Sequence, residues 1–203
     1  MVSLATAAPT ITIGGGLYQV GGGGEITATV GSSSFQTFCV ELNEHIALGG
    51  TYNFDINTGA VKGGVGGQTL PNFDPLDEKT AWLYTAFRQT TLKDYAFAGS
   101  IADHRASAGA LQEAIWNIEQ EISGPLSTLA QDYYDQAAGA VKNGWEGIGD
   151  VRVLNLYTTS AAGARTDCQD VLGYFPPGVP VPGAILLGGL GCALVGFLRR
   201  RGA

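Results

Sequence analysis

Cysteine is the most reactive side chain in this sequence, and it occurs three times, as Cys39, Cys168 and Cys192. Cys192 belongs to an apolar C-terminal run, which leaves Cys39 and Cys168 for the body of the chain. In an oxidising compartment two thiols in one small domain invite a disulfide. Gln169 directly follows Cys168, and neighbouring side chains on an extended strand point to opposite faces. Cys168 and Gln169 therefore cannot both face Cys39. A Cys/His hydrolase is a more distant reading. His45 follows Cys39 within the same stretch and His104 approaches a central helix, yet nothing sets an imidazole against the sulfur, and both read as surface residues. Glu113, Glu119 and Glu121 read as the solvated side of a helix rather than as paired carboxylates for sugar hydrolysis. The run Gly63 to Gly67 is not followed by Lys-Ser/Thr and reads as surface loop, not phosphate cradle. No zinc spacing, EF-hand loop, Walker motif or dinucleotide fingerprint occurs, so no cofactor is indicated and the chain is not expected to be an enzyme.

These side chains must be positioned by strands at both ends and helices between. Thr10–Ile13, Leu17–Val20, Glu25–Val30 and Phe35–Val40 alternate apolar and polar residues between Gly and Ser clusters, the pattern of hairpins. Tyr52, Phe54 and Ile56 predict one more strand, followed by a long loop. Asp77 caps a helix through Arg88, Ser100 opens a second that ends at Ser123-Gly124-Pro125, and a third runs from Pro125 to about Lys142. Val151, Val153, Leu154 and Leu156 restart β-structure, and Cys168 to Phe175 reads as the last strand. Trp82, Trp116 and Trp145 read as core or core-edge residues. The expected fold class is α+β: antiparallel β-rich N- and C-terminal parts flanking a central helical segment, plus a C-terminal transmembrane helix.

Composition narrows the setting. Among 203 residues there are 11 basic and 18 acidic, a formal charge of -7, and three of the arginines sit together at the end. The body is more acidic still, which argues against a nucleic-acid partner, since phosphates need Lys or Arg. Glycine at 31 residues is abundant and charged residues at 14% are scarce, a balance that suits an extracellular β-rich domain with many turns.

The ends carry the addressing. After Phe175 comes the spacer Pro176-Pro177-Gly178-Val179-Pro180-Val181-Pro182, then an uncharged apolar run from Gly183 to Leu198, then Arg199-Arg200-Arg201. Proline breaks a preceding helix and extends the spacer, while the run approaches the roughly 20 residues that span a bilayer. Its glycines are tolerated in lipid, and arginines after it stay cytoplasmic, which places the preceding chain outside. Ala5-Thr6-Ala7 before Ala8-Pro9 looks like an A-x-A cleavage site without its hydrophobic part, so the chain is expected to start further upstream. The organisation expected is a signal remnant at 1–9, a globular body at 10–175, a linker with sorting motif at 176–182, and a transmembrane helix with basic tail at 183–203.

Two resemblances follow from these residues. The proline motif with Pro180 and Pro182, the glycine-rich apolar run and the cluster Arg199, Arg200 and Arg201 resemble the PEP-CTERM sorting signal, with Pro-Val-Pro in place of Pro-Glu-Pro. That resemblance implies an exosortase as partner, membrane attachment through the C-terminal helix, and delivery to the cell surface or extracellular matrix. Phe38-Cys39-Val40, Gln112-Glu113-Ala114-Ile115-Trp116 and Gln169 in the last strand resemble, in this order, the thioester domains of Gram-positive surface adhesins. Leu111 stands where that family has threonine, and Cys168 where it has a bulkier apolar residue. The resemblance implies an internal thioester between Cys39 and Gln169, with Phe38, Gln112 and Trp116 supporting its pocket and Leu172 helping to shield it. A surface amine or polysaccharide would be the partner in adhesion. The alternative is a structural or binding protein of the extracellular matrix with no covalent activity.

Overall fold

The computed structural model describes residues 8–61, 64–67 and 72–177, and over these the chain is α+β. The first half contributes β1 (Thr10–Gly14), β2 (Gln19–Val20), β3 (Gly23–Gly24), β4 (Ile26–Val30), β5 (Ser33–Thr37), β6 (Thr51–Asn57), β7 (Gly59–Val61) and β8 (Phe73–Pro75). Three helices follow, α1 (Glu78–Arg88), α2 (Ile101–Ile118) and α3 (Thr128–Lys142), and then β9 (Val151–Thr159), β10 (Arg165–Asp167) and β11 (Val171–Tyr174). The sorting residues Pro180, Pro182, Arg199, Arg200 and Arg201, with the apolar run between them, lie outside the described residues, as does Ala5-Thr6-Ala7. Among the described residues no helix is long and apolar enough to cross a membrane.

The main sheet is antiparallel, in the order β10-β9-β6-β1-β4-β5, with β11 on the same edge of β9 as β10. Beyond β5 the chain continues extended, and Cys39 bridges to Val171 of β11. The Val40 N–H donates to the Asp170 carbonyl at 3.0 Å and the Leu172 N–H to the Phe38 carbonyl at 3.1 Å. These bonds join the two ends of the strand order, so the sheet closes into a ring and leaves no long unpaired edge there.

Period-two alternation divides the apolar residues between two cores. Ile11, Ile13, Ile26, Ala28, Phe54, Leu154, Leu156, Val171 and Cys39 pack together on one face. Phe38, Val40, Val151, Val153 and Leu172 turn the other way, against Leu83, Phe87, Leu111, Ile115 and Tyr133 of the three helices. Trp82 and Trp116 are half-buried at the edges of these cores, and Trp145 is half-buried outside them.

Local chemistry explains the boundaries. Asp77 caps α1 by accepting the Lys79 N–H at 2.7 Å, and Ser100 caps α2 by accepting the Asp103 N–H at 3.1 Å. Helix α2 stops at Ile118, short of the expected Ser123, because Gln120 turns left-handed (φ 63°) and the Glu121 N–H folds back to the Trp116 carbonyl at 2.8 Å. Helix α3 begins at Thr128 rather than Pro125, behind Ser127 at its N-cap, whose own N–H is held by Glu113 at 2.8 Å. Of the expected strand Leu17–Val20 only β2 forms, paired with β3 in a short hairpin that lies on α2. The loop after β6 gains its own pair, β7 with β8.

The last strand is interrupted where the sequence suggested one continuous run. Asp167 pairs with Tyr157 and Val171 with Leu154, so four steps on one strand span three on the other, a bulge of one residue. Asp170 fills the gap: its carboxylate accepts N–H groups of Leu156 at 3.1 Å and Val61 at 2.8 Å and the Asn155 side-chain amide at 2.6 Å.

Candidate functional site

Cys39 sits where β5 has left its neighbour β4. The β4–β5 ladder ends at the pair Ile26 and Thr37, so the backbone of Cys39 has no strand on that side. A side chain of α2 takes the place of the strand. Gln112 Oε1 accepts the Cys39 N–H at 3.0 Å and the Gly24 N–H at 3.2 Å, while its Nε2 donates to the Cys39 carbonyl at 2.9 Å. One buried amide thus satisfies three backbone groups that would otherwise be stranded.

Trp116, one turn further along α2, donates its indole N–H to the Glu41 carbonyl at 3.1 Å. Above both side chains passes Gly23, where an added Cβ would fall 2.7 Å from Gln112 Cγ and 2.7 Å from the Trp116 ring. Because Gln112 is pinned by three hydrogen bonds, it has little room to give. Gly23→Ala is expected to cost about 2 kcal/mol through overpacking, read as a lowered midpoint in urea; a midpoint at the wild-type value would show that the hairpin is free to lift off α2.

Gln169 reaches the site from the bulge. Its Nε2 donates to the Glu41 carbonyl at 2.9 Å and to Glu41 Oε2 at 2.9 Å, and Glu41 Oε2 also accepts the Asp170 N–H at 3.1 Å. None of Cys39, Glu41, Gln112 and Gln169 is more than 4% exposed. Cys39 and Gln169 line one cavity of about 190 Å³, walled by Ile26, Ile46 and Leu48 and edged by Gln19, Glu44 and His45. Cys39, Gln169 and Ile26 are buried at its closed end, whereas His45 and Leu48 are exposed at its mouth.

No family model, no curated protein and no solved structure matches this chain. The site therefore has to be read from its own geometry.

Cys39 has two candidate partners. Gln169, not Cys168, shares the cavity with it; Cys168 Sγ lies 3.7 Å from the Thr166 carbonyl, and both thiols are free. Burial, reinforced by the neighbouring Glu41, pushes the Cys39 thiol up to about 12. A neutral thiol of this kind is the opposite of a protease nucleophile, whose thiolate is stabilised by adjacent positive charge. His45 borders the cavity, but the sulfur it would have to activate holds its proton firmly.

Phe38 supports the site from behind rather than lining it. It is fully buried on the helix side, edge-on to Phe87 at 5.1 Å, and anchors the strand whose next residue turns toward the cavity. Leu172 likewise faces the helices, so shielding falls to Ile26, Ile46 and Leu48.

Two of the helical carboxylates do not belong to a solvated face. Glu119 and Glu121 are buried: Glu119 accepts the Asp77 N–H at 3.3 Å, and Glu121 accepts those of Leu42 at 2.8 Å and Val65 at 2.9 Å. These carboxylates, just beyond the end of α2, tie neighbouring segments to it by accepting their backbone N–H groups. His104 is not a surface residue either. Its Nε2 lies 2.7 Å from Glu25 Oε2, its ring stacks on Tyr18 at 3.5 Å, and Tyr95 donates to the same Glu25 oxygen at 2.6 Å.

Two site residues went unnoticed in the sequence, Glu41 and Asp170. The signal for Glu41 was present: in Cys39-Val40-Glu41 the first and third side chains share a strand face. Burial, with Asp170 and Glu44 nearby, raises the Glu41 carboxyl well above its ordinary range.

Proposed function

We propose that this chain is an exported protein, held at the membrane by its C-terminal apolar run and sorted by an exosortase to the cell surface or extracellular matrix. On this reading its body carries an internal thioester between Cys39 and Gln169 used for adhesion. The observation that carries the covalent part is the shared cavity, which Cys39 and Gln169, both buried, line together. The sorting part rests on Pro180, Pro182, the apolar run and Arg199-Arg200-Arg201.

The chemistry balances without a cofactor. Cys39 Sγ attacks the side-chain carbonyl carbon of Gln169, the carbon–nitrogen bond breaks, and ammonia leaves with the thiol proton. A primary amine on a partner then attacks the same carbon, forming an amide to residue 169 and returning Cys39 to a thiol. Burial keeps water from the acyl group until a nucleophile enters past Glu44 and His45. The protein acts once, as a tether, and is not an enzyme.

Intact mass of the freshly purified full chain tests this reading. The expected mass is lighter than the sequence by one ammonia, and methylamine treatment restores a mass with the amine bonded to residue 169. Loss of two hydrogens would instead mark a Cys39–Cys168 disulfide. An unmodified Gln169 in fresh protein would overturn the covalent mechanism and leave a non-covalent matrix protein.

A further inference from the structure

We propose that Glu41 is the proton-transfer residue that forms the thioester, passing its carboxyl proton to the departing nitrogen of Gln169 and taking up the proton of Cys39. The inference rests on the thioester reading and adds a residue that reading does not require.

The geometry is specific to the reacting atoms. The nitrogen that must leave, Gln169 Nε2, donates to Glu41 Oε2 at 2.9 Å; once sulfur has added to the carbonyl carbon that nitrogen gains a basic lone pair, and the same contact can carry the Glu41 proton to it. Glu41 stands two residues beyond Cys39, past the end of β5, and is near enough for its charge to act on the Cys39 thiol. Its second oxygen, Oε1, is buried with no hydrogen-bond partner among the described residues, although the residue is 2% exposed. An unpaired buried carboxyl oxygen is costly.

The step conserves atoms and charge. Sulfur bonds to the Gln169 carbonyl carbon as the thiol proton moves to Glu41, and the carbon–nitrogen bond breaks as the original Glu41 proton reaches nitrogen. The products are thioester and ammonia, with Glu41 again a carboxylic acid. Every species stays neutral, which matters because an ion formed in this water-poor cluster would carry a heavy desolvation penalty. Burial foremost, then the charges of Asp170 and Glu44, raise Glu41, while the hydrogen bond from the Asp170 N–H lowers it. Cys39 lies on its own strand, Glu121 holds the adjacent Leu42 N–H, and His45 stands at the cavity mouth.

The test uses the full chain unfolded in urea before any thioester has formed, then refolded while ammonia loss is followed by intact mass. Wild type is expected to react at a rate that is level at acid pH and falls as Glu41 ionises. Glu41→Gln keeps the size and hydrogen-bonding ability of the side chain but cannot relay a proton. It is expected to fold with a thermal transition close to wild type, to lose ammonia about a hundred-fold more slowly, and to present Cys39 as a titratable thiol. Equal rates in folded Glu41→Gln and wild type would overturn the role of Glu41 while leaving the thioester intact. Should Glu41→Gln fail to fold, the wild-type pH profile decides. Unassisted attack by thiolate would rise about tenfold per pH unit through the alkaline range, and such a rise would overturn the proposal. A wild type that never loses ammonia would overturn the thioester reading itself.

Discussion

Gln112→Leu is expected to lose about 4 kcal/mol of stability. The leucine fills nearly the same volume, so packing changes little, but three buried backbone groups lose their partner: the N–H and carbonyl of Cys39 and the N–H of Gly24. Each such group left unpaired costs roughly 1–3 kcal/mol, and the apolar side chain recovers part of the total. The expected readout is a large drop in urea midpoint with an unchanged slope. Since the strand at Cys39 is also released, ammonia loss should fail in the fraction that still folds. A cost below about 1 kcal/mol would mean that water or a local shift replaces the amide, and that α2 does not hold the cysteine strand.

The second large effect is a pH dependence of unusual sign. Burial is the leading cause that raises Glu119 to about 8, Asp170 to about 7 and Asp74 to about 6, and it raises Glu41 as well. Each of these groups binds its proton more tightly folded than unfolded. Its contribution is therefore fully present below the unfolded value, 3.8 for Asp or 4.5 for Glu, and is lost as pH rises through the folded value. The signs agree for all four, so stability should fall steadily from about pH 4.5 to about pH 8, by up to about 1.4 kcal/mol per unit for each group titrating. Above that range the buried thiol of Cys39, pushed up to about 12, continues the decline. Most proteins are destabilised as acid protonates paired carboxylates; here the acid side is expected to be the stable one. Urea unfolding at a series of pH values checks this, and a midpoint that rises between mildly acid and mildly alkaline pH would show that these carboxyls are ionised in the native state. Glu119→Gln should flatten the slope, since the amide oxygen can still accept the Asp77 N–H without a charge to bury.

Much of the local structure was legible in the residues. Alternation in Thr10–Ile13 and Glu25–Val30, the caps Asp77 and Ser100, and the restart at Val151 all lie within a few residues of the observed elements, because each depends on contacts within one turn or one hairpin. The candidate site was legible in part. Cys39, Gln112, Trp116 and Gln169 stood out by type and order, and their convergence is what the fold supplies. Leu172 was misplaced as a cavity shield and Glu119 and Glu121 as a solvated face, for the same reason: exposure is set by which distant element lies alongside.

By itself the sequence determined the α+β succession of elements, their caps, the alternate cysteine partners and the character of the C-terminal run, since these follow from near neighbours and from composition. Only the tertiary structure decided that the sheet closes through Cys39 and Val171, that a one-residue bulge filled by Asp170 brings Gln169 to the cavity, and that Glu41 meets the Gln169 amide. Those outcomes depend on register between segments more than a hundred residues apart along the chain. A shift of one residue in that register would turn every side chain of the strand to its other face, and no local pattern specifies it.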